Sequence, residues 1–171
     1  TDGDTDDGGT GDGSTGDGGA TDAMPIINEI NTDPADGEDW FEFYNPGDTD
    51  YDVSAWVVGE WKDDEDEPRT PLTLVSELST DTIVPAGGYL VVNTEWTDDA
   101  GTPDDDSDDT EYGFGLKKDG SEHLFVAATE DFTSPYIDIP ENVDSNSYAR
   151  VPDGGDTWEN NVVPTPGTSN D

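Results

Sequence analysis

Short segments of alternating apolar and polar residues dominate the chain from Met24 onward. Trp40-Phe41-Glu42-Phe43-Tyr44 is representative, because Phe41 and Phe43 recur at the period of a strand with one buried face. Turn formers such as Asn45-Pro46-Gly47 separate these segments, and no segment shows a helical period. The pattern predicts ten strands, at residues 26–30, 40–44, 53–58, 72–75, 81–84, 88–93, 112–116, 122–128, 135–139 and 146–150. Short strands of this kind are typical of an all-β, two-sheet sandwich.

The first 23 residues have a different composition, being almost entirely Asp, Gly and Thr. No apolar side chain precedes Ala20, so this segment has nothing to bury. We therefore expect a flexible, low-complexity acidic tail at residues 1–23 and one folded domain at residues 24–171. The tail is either a spacer that tethers the domain to an envelope or a segment that cations or a neighbouring subunit bring to order.

Six motifs occur in order along the predicted domain. They read IINEI, WFEFYNPG, IVPAGGYLVV, GFGL with DGSEHL, YARVPDG and TPGTSN. Together they resemble the lamin-tail domain family, and the resemblance covers roughly residues 24–170. It implies an immunoglobulin-like β-sandwich of the prokaryotic secreted or surface type, used for interaction rather than catalysis. The resemblance also implies an alternative, since such domains occur attached to secreted nucleases and phosphatases.

The charge of the chain is extreme: 44 acidic residues against 5 basic ones give a formal net charge of −39. Low hydrophobicity with so much like charge usually indicates disorder, but the Trp, Tyr and Phe residues all fall from residue 40 onward and can form a core. Repulsion disfavours nucleic acid and anionic lipid as partners. Cations, basic proteins and concentrated salt are favoured, so the acidity fits a halophilic protein and a calcium-loaded surface protein equally well.

Cellular location is suggested only by absences. The chain has no cysteine, which excludes disulfides, thiol catalysis and thiolate metal sites. No apolar run approaches the length of a membrane span. The sequence starts at Thr1, inside an Asp/Gly/Thr tract, as a processed product would. We therefore expect an exported protein that is extracellular or attached to the cell surface, without direct insertion into the membrane.

Catalytic chemistry has few candidates. Glu29 and Glu42 each interrupt an apolar strand, and acid–base catalysis by a carboxylate pair needs one partly desolvated member. We expect both instead to point outward or to bond across the sheet. The only histidine is His123, inside a predicted strand, so a nucleophile–base relay or a His-rich metal centre is improbable. The sequence predicts no catalytic residue, and the chain is interpreted as a non-enzyme.

Calcium is the more credible ligand. Two tracts have the D-x-D-x-D spacing that begins a calcium loop, and their candidate metal ligands are Asp2, Asp4, Asp6, Asp104, Asp106 and Asp108. Neither tract is an EF-hand, because each lacks the glycine at the sixth loop position and the glutamate at the twelfth. Weak coordination completed by another chain, and a merely solvated acidic surface, both remain open.

The tryptophans divide into two groups. Trp40 and Trp56 lie in strand patterns and are predicted to be core residues, whereas Trp61, Trp96 and Trp158 lie near strand ends or loops. The latter three either pack at the rim of the core or stack on a sugar or a protein partner. The basic residues Lys117, Lys118 and Arg150 either pair locally with carboxylates or meet acidic patches of a neighbouring copy.

These observations lead to one main hypothesis and two alternatives. The main hypothesis is a non-catalytic structural module that self-associates in a filament- or sheath-type assembly or scaffolds envelope components, assisted by calcium. Exposed strand edges would provide its docking sites. One alternative is an accessory substrate- or surface-binding domain of a secreted hydrolase, and the other is a carbohydrate-binding adhesion module.

Overall fold

The computed structural model describes residues 23–62, 72–98, 110–128, 136–141 and 145–171. Within these ranges the chain forms short strands and one single-turn helix. The strands are β1 (Ile26–Asn31), β2 (Trp40–Tyr44), β3 (Tyr51–Asp52), β4 (Val57–Lys62), β5 (Thr73–Leu74), β6 (Ile83–Val84), β7 (Tyr89–Asn93), β8 (Glu95–Asp98), β9 (Thr110–Gly113), β10 (Glu122–Ala127), β11 (Ile137–Asp138), β12 (Ser147–Arg150) and β13 (Trp158–Val162). The helix α1 is Val75–Leu78.

The strands pair into several sheets, and every pairing is antiparallel. The largest sheet has the order β13-β12-β1-β2-β7, and a second sheet has the order β11-β10-β4-β5. The pairs β3-β6 and β8-β9 complete the described part of the fold. This mostly β arrangement is consistent with the all-β sandwich expected from the sequence.

The main core contains the inward side chains of both large sheets. Phe41 and Phe43 of β2 are completely buried, and Phe43 meets Phe41 and Trp56 edge-on at ring separations of 5.4 and 5.6 Å. Val58 of β4 and Leu124 of β10 contribute to the same core from the second sheet. The predicted burial of Trp40 and Trp56 is confirmed, with exposed fractions of 7% and 9%.

Several predicted strands have other bounds in the structure, and two of these differences have a clear cause. Residues 53–58 do not form one strand: the N–H of Trp56 donates to the carbonyl of Val53 at 2.9 Å, and β4 begins only at Val57. The predicted strand 72–75 ends in helix α1, because the Glu77 carboxylate accepts a hydrogen bond from the backbone N–H of Leu74 and caps the turn. A four-residue helix is too short to reveal a helical period in the sequence.

The Asp119-Gly120 pair separates the predicted strands 112–116 and 122–128, and such a pair favours a tight hairpin between them, but this prediction is only partly correct. Gly120 adopts φ +76° in a tight turn, as expected. The flanking strands do not pair with each other, however, since β9 pairs with β8 and β10 pairs with β4 and β11. The predicted strand 112–116 ends at Gly113, and the chain then continues to β10 in the four-stranded sheet. Strands β3, β8 and β13 were not predicted. Strand β13 was missed because its sequence, Trp-Glu-Asn-Asn-Val, has no alternating apolar face.

Candidate functional site

A bulge in β1 places two glutamates on one face of the largest sheet. The register between β1 and β2 shifts between Ile27 and Glu29, after which Glu29 lies directly opposite Glu42. Directly opposed residues project to the same face, so both carboxylates lie on the side away from Phe41 and Phe43. Neither is exposed to solvent (0% for both). Both side chains thus point outward from the core, as one of the two expectations had it, but they are covered rather than exposed to solvent.

The end of the chain covers the two glutamates. We call residues 164–171 the C-terminal clasp. The N–H and hydroxyl of Thr165 each donate to the Glu29 carboxylate at 3.1 Å, and the N–H of Gly167 donates to Glu42 Oε2 at 2.6 Å. Asn28 Nδ2 donates to the other oxygen of Glu42 at 3.3 Å. The clasp thus satisfies a buried carboxylate pair with backbone and neutral side-chain donors.

A third carboxylate, Asp153, ties the clasp to the turn between β12 and β13. It accepts four hydrogen bonds from separate parts of the fold. The donors are Asn28 Nδ2 (2.9 Å), Tyr89 OH (2.6 Å), Ser169 Oγ (2.6 Å) and the backbone N–H of Asn170 (3.1 Å). Asp153 therefore connects β1, β7 and the chain end at one point.

The three carboxylates have different protonation behaviour. Burial raises the pKa of Glu42 to about 7, and repulsion from Glu29 and Asp153 adds to this effect against the hydrogen bonds from Gly167 and Asn28. Burial likewise raises the pKa of Glu29 above its ordinary value. Burial also acts to raise the pKa of Asp153, but its hydrogen bonds outweigh burial and hold that pKa below the ordinary value.

A buried carboxyl group with a raised pKa has the protonation behaviour of a general acid. Here, however, the oxygens of Glu29 and Glu42 are occupied by the clasp, and both side chains are fully covered. A substrate could reach them only if the clasp moved away. A cavity of about 410 Å³ lies elsewhere, between Thr32-Asp33 and the segment Leu116–Asp119.

The aromatic candidates fall at two places. Trp61 of β4 lies beside Tyr136, with ring centroids 5.0 Å apart, and Tyr136 also meets His123 at 4.8 Å. His123 Nδ1 is 3.0 Å from the Asp138 carboxylate, so the residue belongs to a polar pair at the edge of this surface. Tyr136 keeps 45% of its surface exposed.

Trp158 packs at the rim of the main core. Its ring stacks on Tyr148 at 4.6 Å, and the Arg150 guanidinium lies 4.6 Å from the same ring. For Trp96, the structure describes only its place in β8, and its side chain lies outside the described part.

The three basic residues considered above make contacts within the chain. Lys118 Nζ is 2.7 Å from Asp33, and Lys117 Nζ is 3.4 Å from the buried Glu122. Arg150 donates to the carbonyl oxygens of Ile27 and Gly155. Local pairing with carboxylates, one of the two interpretations of these residues, is thus present for Lys117 and Lys118, whereas Arg150 contacts carbonyl oxygens.

The predicted calcium ligands cannot be placed. Asp2, Asp4, Asp6, Asp104, Asp106 and Asp108 all lie outside the described residues. Among the residues that the structure does describe, no group of three or more His, Asp or Glu side chains is arranged to hold a metal ion. Calcium therefore stays a prediction for the two acidic tracts.

The chain was compared with family models, curated proteins and solved structures. No family model, curated protein or solved structure matches the chain. In the described ranges, no helix is both long enough and apolar enough to cross a membrane. Sequence reasoning missed Asp153, Thr165 and Asn170 as members of the buried cluster. The only signal for them was their place in the motifs YARVPDG and TPGTSN.

Proposed function

We propose that this chain is a non-catalytic structural module of the cell surface, with the immunoglobulin-like fold of lamin-tail domains and a flexible acidic N-terminal tail. It self-associates in a filament- or sheath-type assembly or scaffolds other envelope components. The ordered set of six motifs supports the family resemblance. Engagement of Glu29 and Glu42 by the clasp supports a structural rather than catalytic use of these carboxylates.

One observation carries the proposal of self-association: strand β7 is an uncharged edge. Tyr89-Leu90-Val91-Val92-Asn93 pairs with β2 on one side, and no described strand pairs with its other side. Edge strands in soluble proteins are usually short or carry charges that prevent pairing with another chain. The other edges of the two large sheets follow this rule, since β5 and β11 have two residues each and β13 carries Glu159 at an exposed position.

The absence of charge in β7 stands out against the composition of the chain, in which 44 of 171 residues are acidic. An extended segment from a second copy could add to this edge through main-chain hydrogen bonds. Two β7 edges that pair with each other would close a dimer, whereas pairing of β7 with a different segment would propagate. Cations would be needed to screen repulsion between copies that each carry a formal charge of −39.

The experiment compares light scattering and electron microscopy of two full-length variants in concentrated salt. V91K/N93K places two lysines on β7, whereas E159K changes the edge strand β13. Both variants raise the formal charge by two units, to −37, so they differ in position and not in net charge. We expect the wild type and E159K to associate and V91K/N93K to stay monomeric, although the lysines lower the overall repulsion. Monomeric wild-type protein under all conditions would exclude self-association.

The calcium part of the proposal has its own test. Association of the wild type is titrated with calcium against EDTA at matched ionic strength. The variants D2N/D4N/D6N and D104N/D106N/D108N each remove three charges from one acidic tract. Loss of the calcium response in one variant alone would assign the ligands to that tract. An equal, partial loss in both would indicate general screening by counterions rather than a specific site.

A carbohydrate-binding adhesion module is the second candidate, and the surface of Trp61, Tyr136 and His123 favours it. An exposed aromatic ring next to a polar His123–Asp138 pair provides a stacking face and hydrogen-bonding groups for a sugar. Y136A should abolish binding to cell-wall polysaccharides in a pull-down assay without unfolding the domain. W158A serves as the control, because Trp158 is engaged with Tyr148. Equal binding by wild type and Y136A would exclude this surface.

A further inference from the structure

Among the residues that the structure describes, none provides a positively charged partner for the carboxylate pair under the clasp. In the described part of the chain, every group that donates to Glu29 or Glu42 is neutral: Asn28, Ser147, Thr165 and Gly167. The guanidinium of Arg150 donates instead to the carbonyl oxygens of Ile27 and Gly155. Two opposed, fully buried carboxylates without a cation repel each other strongly when both are ionised.

The clasp that covers this pair is held mainly by hydrogen bonds. Pro166, Gly167, Thr168 and Ser169 are exposed, and Asn170 is the buried residue of the segment. The clasp is joined to β13 through Val163, which is 73% exposed and does not pack on the core. Opening of the clasp would expose little buried apolar surface to solvent. Its closure therefore depends on the state of the carboxylates that it caps.

We propose that the C-terminal clasp is a proton-dependent latch: the Glu29–Glu42 pair holds a proton while the clasp is closed and releases it when the clasp opens. In the open state, water solvates both carboxylates and both ionise in the ordinary range. In the closed state, one proton on the pair removes the repulsion. Opening would uncover the outer face of β1 and β2, next to the β7 edge.

Other charged and titratable groups surround the pair. Those on the elements packed against it are Tyr44, Tyr89, Arg150, Asp153 and, within the clasp, Asp171. Asp153 is held ionised by its four hydrogen bonds, and burial raises the pKa of Tyr89, so the phenol keeps its proton. Neither group changes its charge in the pH range in which the glutamate pair would titrate.

The direction of the pH effect follows from the raised pKa of Glu42, from 4.5 to about 7. Below pH 4.5 both states carry the proton, and the clasp is most stable. Between these two values the open state loses a proton that the closed state keeps, so the opening constant rises by up to about tenfold per pH unit. Above pH 7 both states are ionised, and the opening constant no longer changes.

The test is hydrogen exchange of the full chain, measured by NMR between pH 5 and 9 in concentrated salt. The reporters are the N–H groups of Thr165, Gly167 and Asn170, which bond to Glu29, Glu42 and Asp153. The intrinsic rate at each pH is divided by the observed exchange rate to give the protection factor. We expect protection of these amides to fall with a slope approaching tenfold per pH unit up to about pH 7 and then to level off. The Trp56 amide, bonded to Val53, reports on global opening.

E42Q is the decisive variant, because glutamine offers one acceptor oxygen and a neutral group, as a protonated glutamate does. Its clasp should stay protected above pH 7, whereas E159Q, at an exposed position, should behave as the wild type. A wild-type profile without pH dependence, or the same profile in E42Q, would overturn the latch. Should E42Q fail to fold, ¹³C titration of the wild-type glutamate carboxyls decides: one must titrate well above the others, and uniform ordinary titration refutes the proposal.

Discussion

Asn28 and Asp153 are joined by a hydrogen bond of 2.9 Å, although 125 residues separate them in the chain. Asn28 occupies the bulge of β1, and its side-chain oxygen accepts a second bond from the N–H of Gly154 at 3.1 Å. The bulge thus recognises the turn between β12 and β13 through both ends of one amide side chain. This contact fixes the site on which the C-terminal clasp rests.

Removal of Asp153 should be costly. Asp153→Ala leaves the donors of Asn28, Tyr89, Ser169 and Asn170 without their common acceptor. We expect the free energy of unfolding, measured by guanidinium denaturation at pH 7, to fall by about 2–4 kcal/mol. Asp48→Ala, at an exposed loop position, should change it by less than about 0.5 kcal/mol.

The pH dependence of this loss has a defined sign. Because the pKa of Asp153 is lowered in the folded protein, its contribution is present above pH 3.8 and disappears as the pH falls through the folded value. The difference in stability between wild type and Asp153→Ala should therefore shrink in strong acid. An undiminished difference at low pH would show that lost packing, rather than lost charged hydrogen bonds, causes the effect.

Two buried threonines provide a matched pair for the cost of an unpaired hydroxyl. Thr32 Oγ1 has no hydrogen-bond partner in the described part of the chain, whereas Thr94 Oγ1 donates to the carbonyl of Asp39 at 3.2 Å. Thr32→Val should leave the free energy of unfolding unchanged or raise it, because it removes an unsatisfied polar group. Thr94→Val should lower it by about 1 kcal/mol. Thermal unfolding monitored by circular dichroism distinguishes the two, and equal losses would contradict the assignment.

The strand that carries the core was predictable from sequence, and the clasp was not. Alternation in Trp-Phe-Glu-Phe-Tyr correctly placed Phe41 and Phe43 inside, because burial of apolar surface follows the two-residue period of a strand. The same alternation placed the Glu42 side chain on the opposite face, which is exposed to solvent unless another part of the chain covers it. Only the fold shows that this face is covered by residues more than 100 positions away.

Two of the missed segments leave no periodic apolar pattern in the sequence. The clasp is held by hydrogen bonds between polar groups, and of the described residues in β13 only Trp158 packs against the main core. Helix α1 is a single turn capped by Glu77, too short to show a period. The motifs YARVPDG and TPGTSN include Asp153, Thr165 and Asn170, but a sequence motif does not show which groups form hydrogen bonds with each other.

The core prediction can be tested at Phe43. This side chain is completely buried and contacts the rings of Phe41 and Trp56. Phe43→Ala should lower the free energy of unfolding by about 3–5 kcal/mol, since it removes apolar burial and leaves a cavity. It should also change the fluorescence of Trp56. Val163→Ala, at a site that is 73% exposed, should cost less than about 0.5 kcal/mol. Similar losses for both would place Phe43 outside the core.

Two glycines with positive φ separate backbone strain from steric overlap. Gly113 (φ +99°) ends β9, and a Cβ atom there would overlap the carbonyl oxygen of Thr94 and lie 2.9 Å from the Cα of Glu95. Gly37 (φ +92°) has no atom within 4 Å of the corresponding position.

Gly37→Ala should therefore cost only the left-handed conformation, about 1–2 kcal/mol. Gly113→Ala adds an overlap with main-chain atoms that cannot move without breaking the β8–β9 pair, so its loss should exceed that of Gly37→Ala by about 2 kcal/mol or more. Equilibrium denaturation of both variants gives the comparison directly. Equal losses would mean that the two strands separate easily and that β8–β9 is a weakly attached part of the fold.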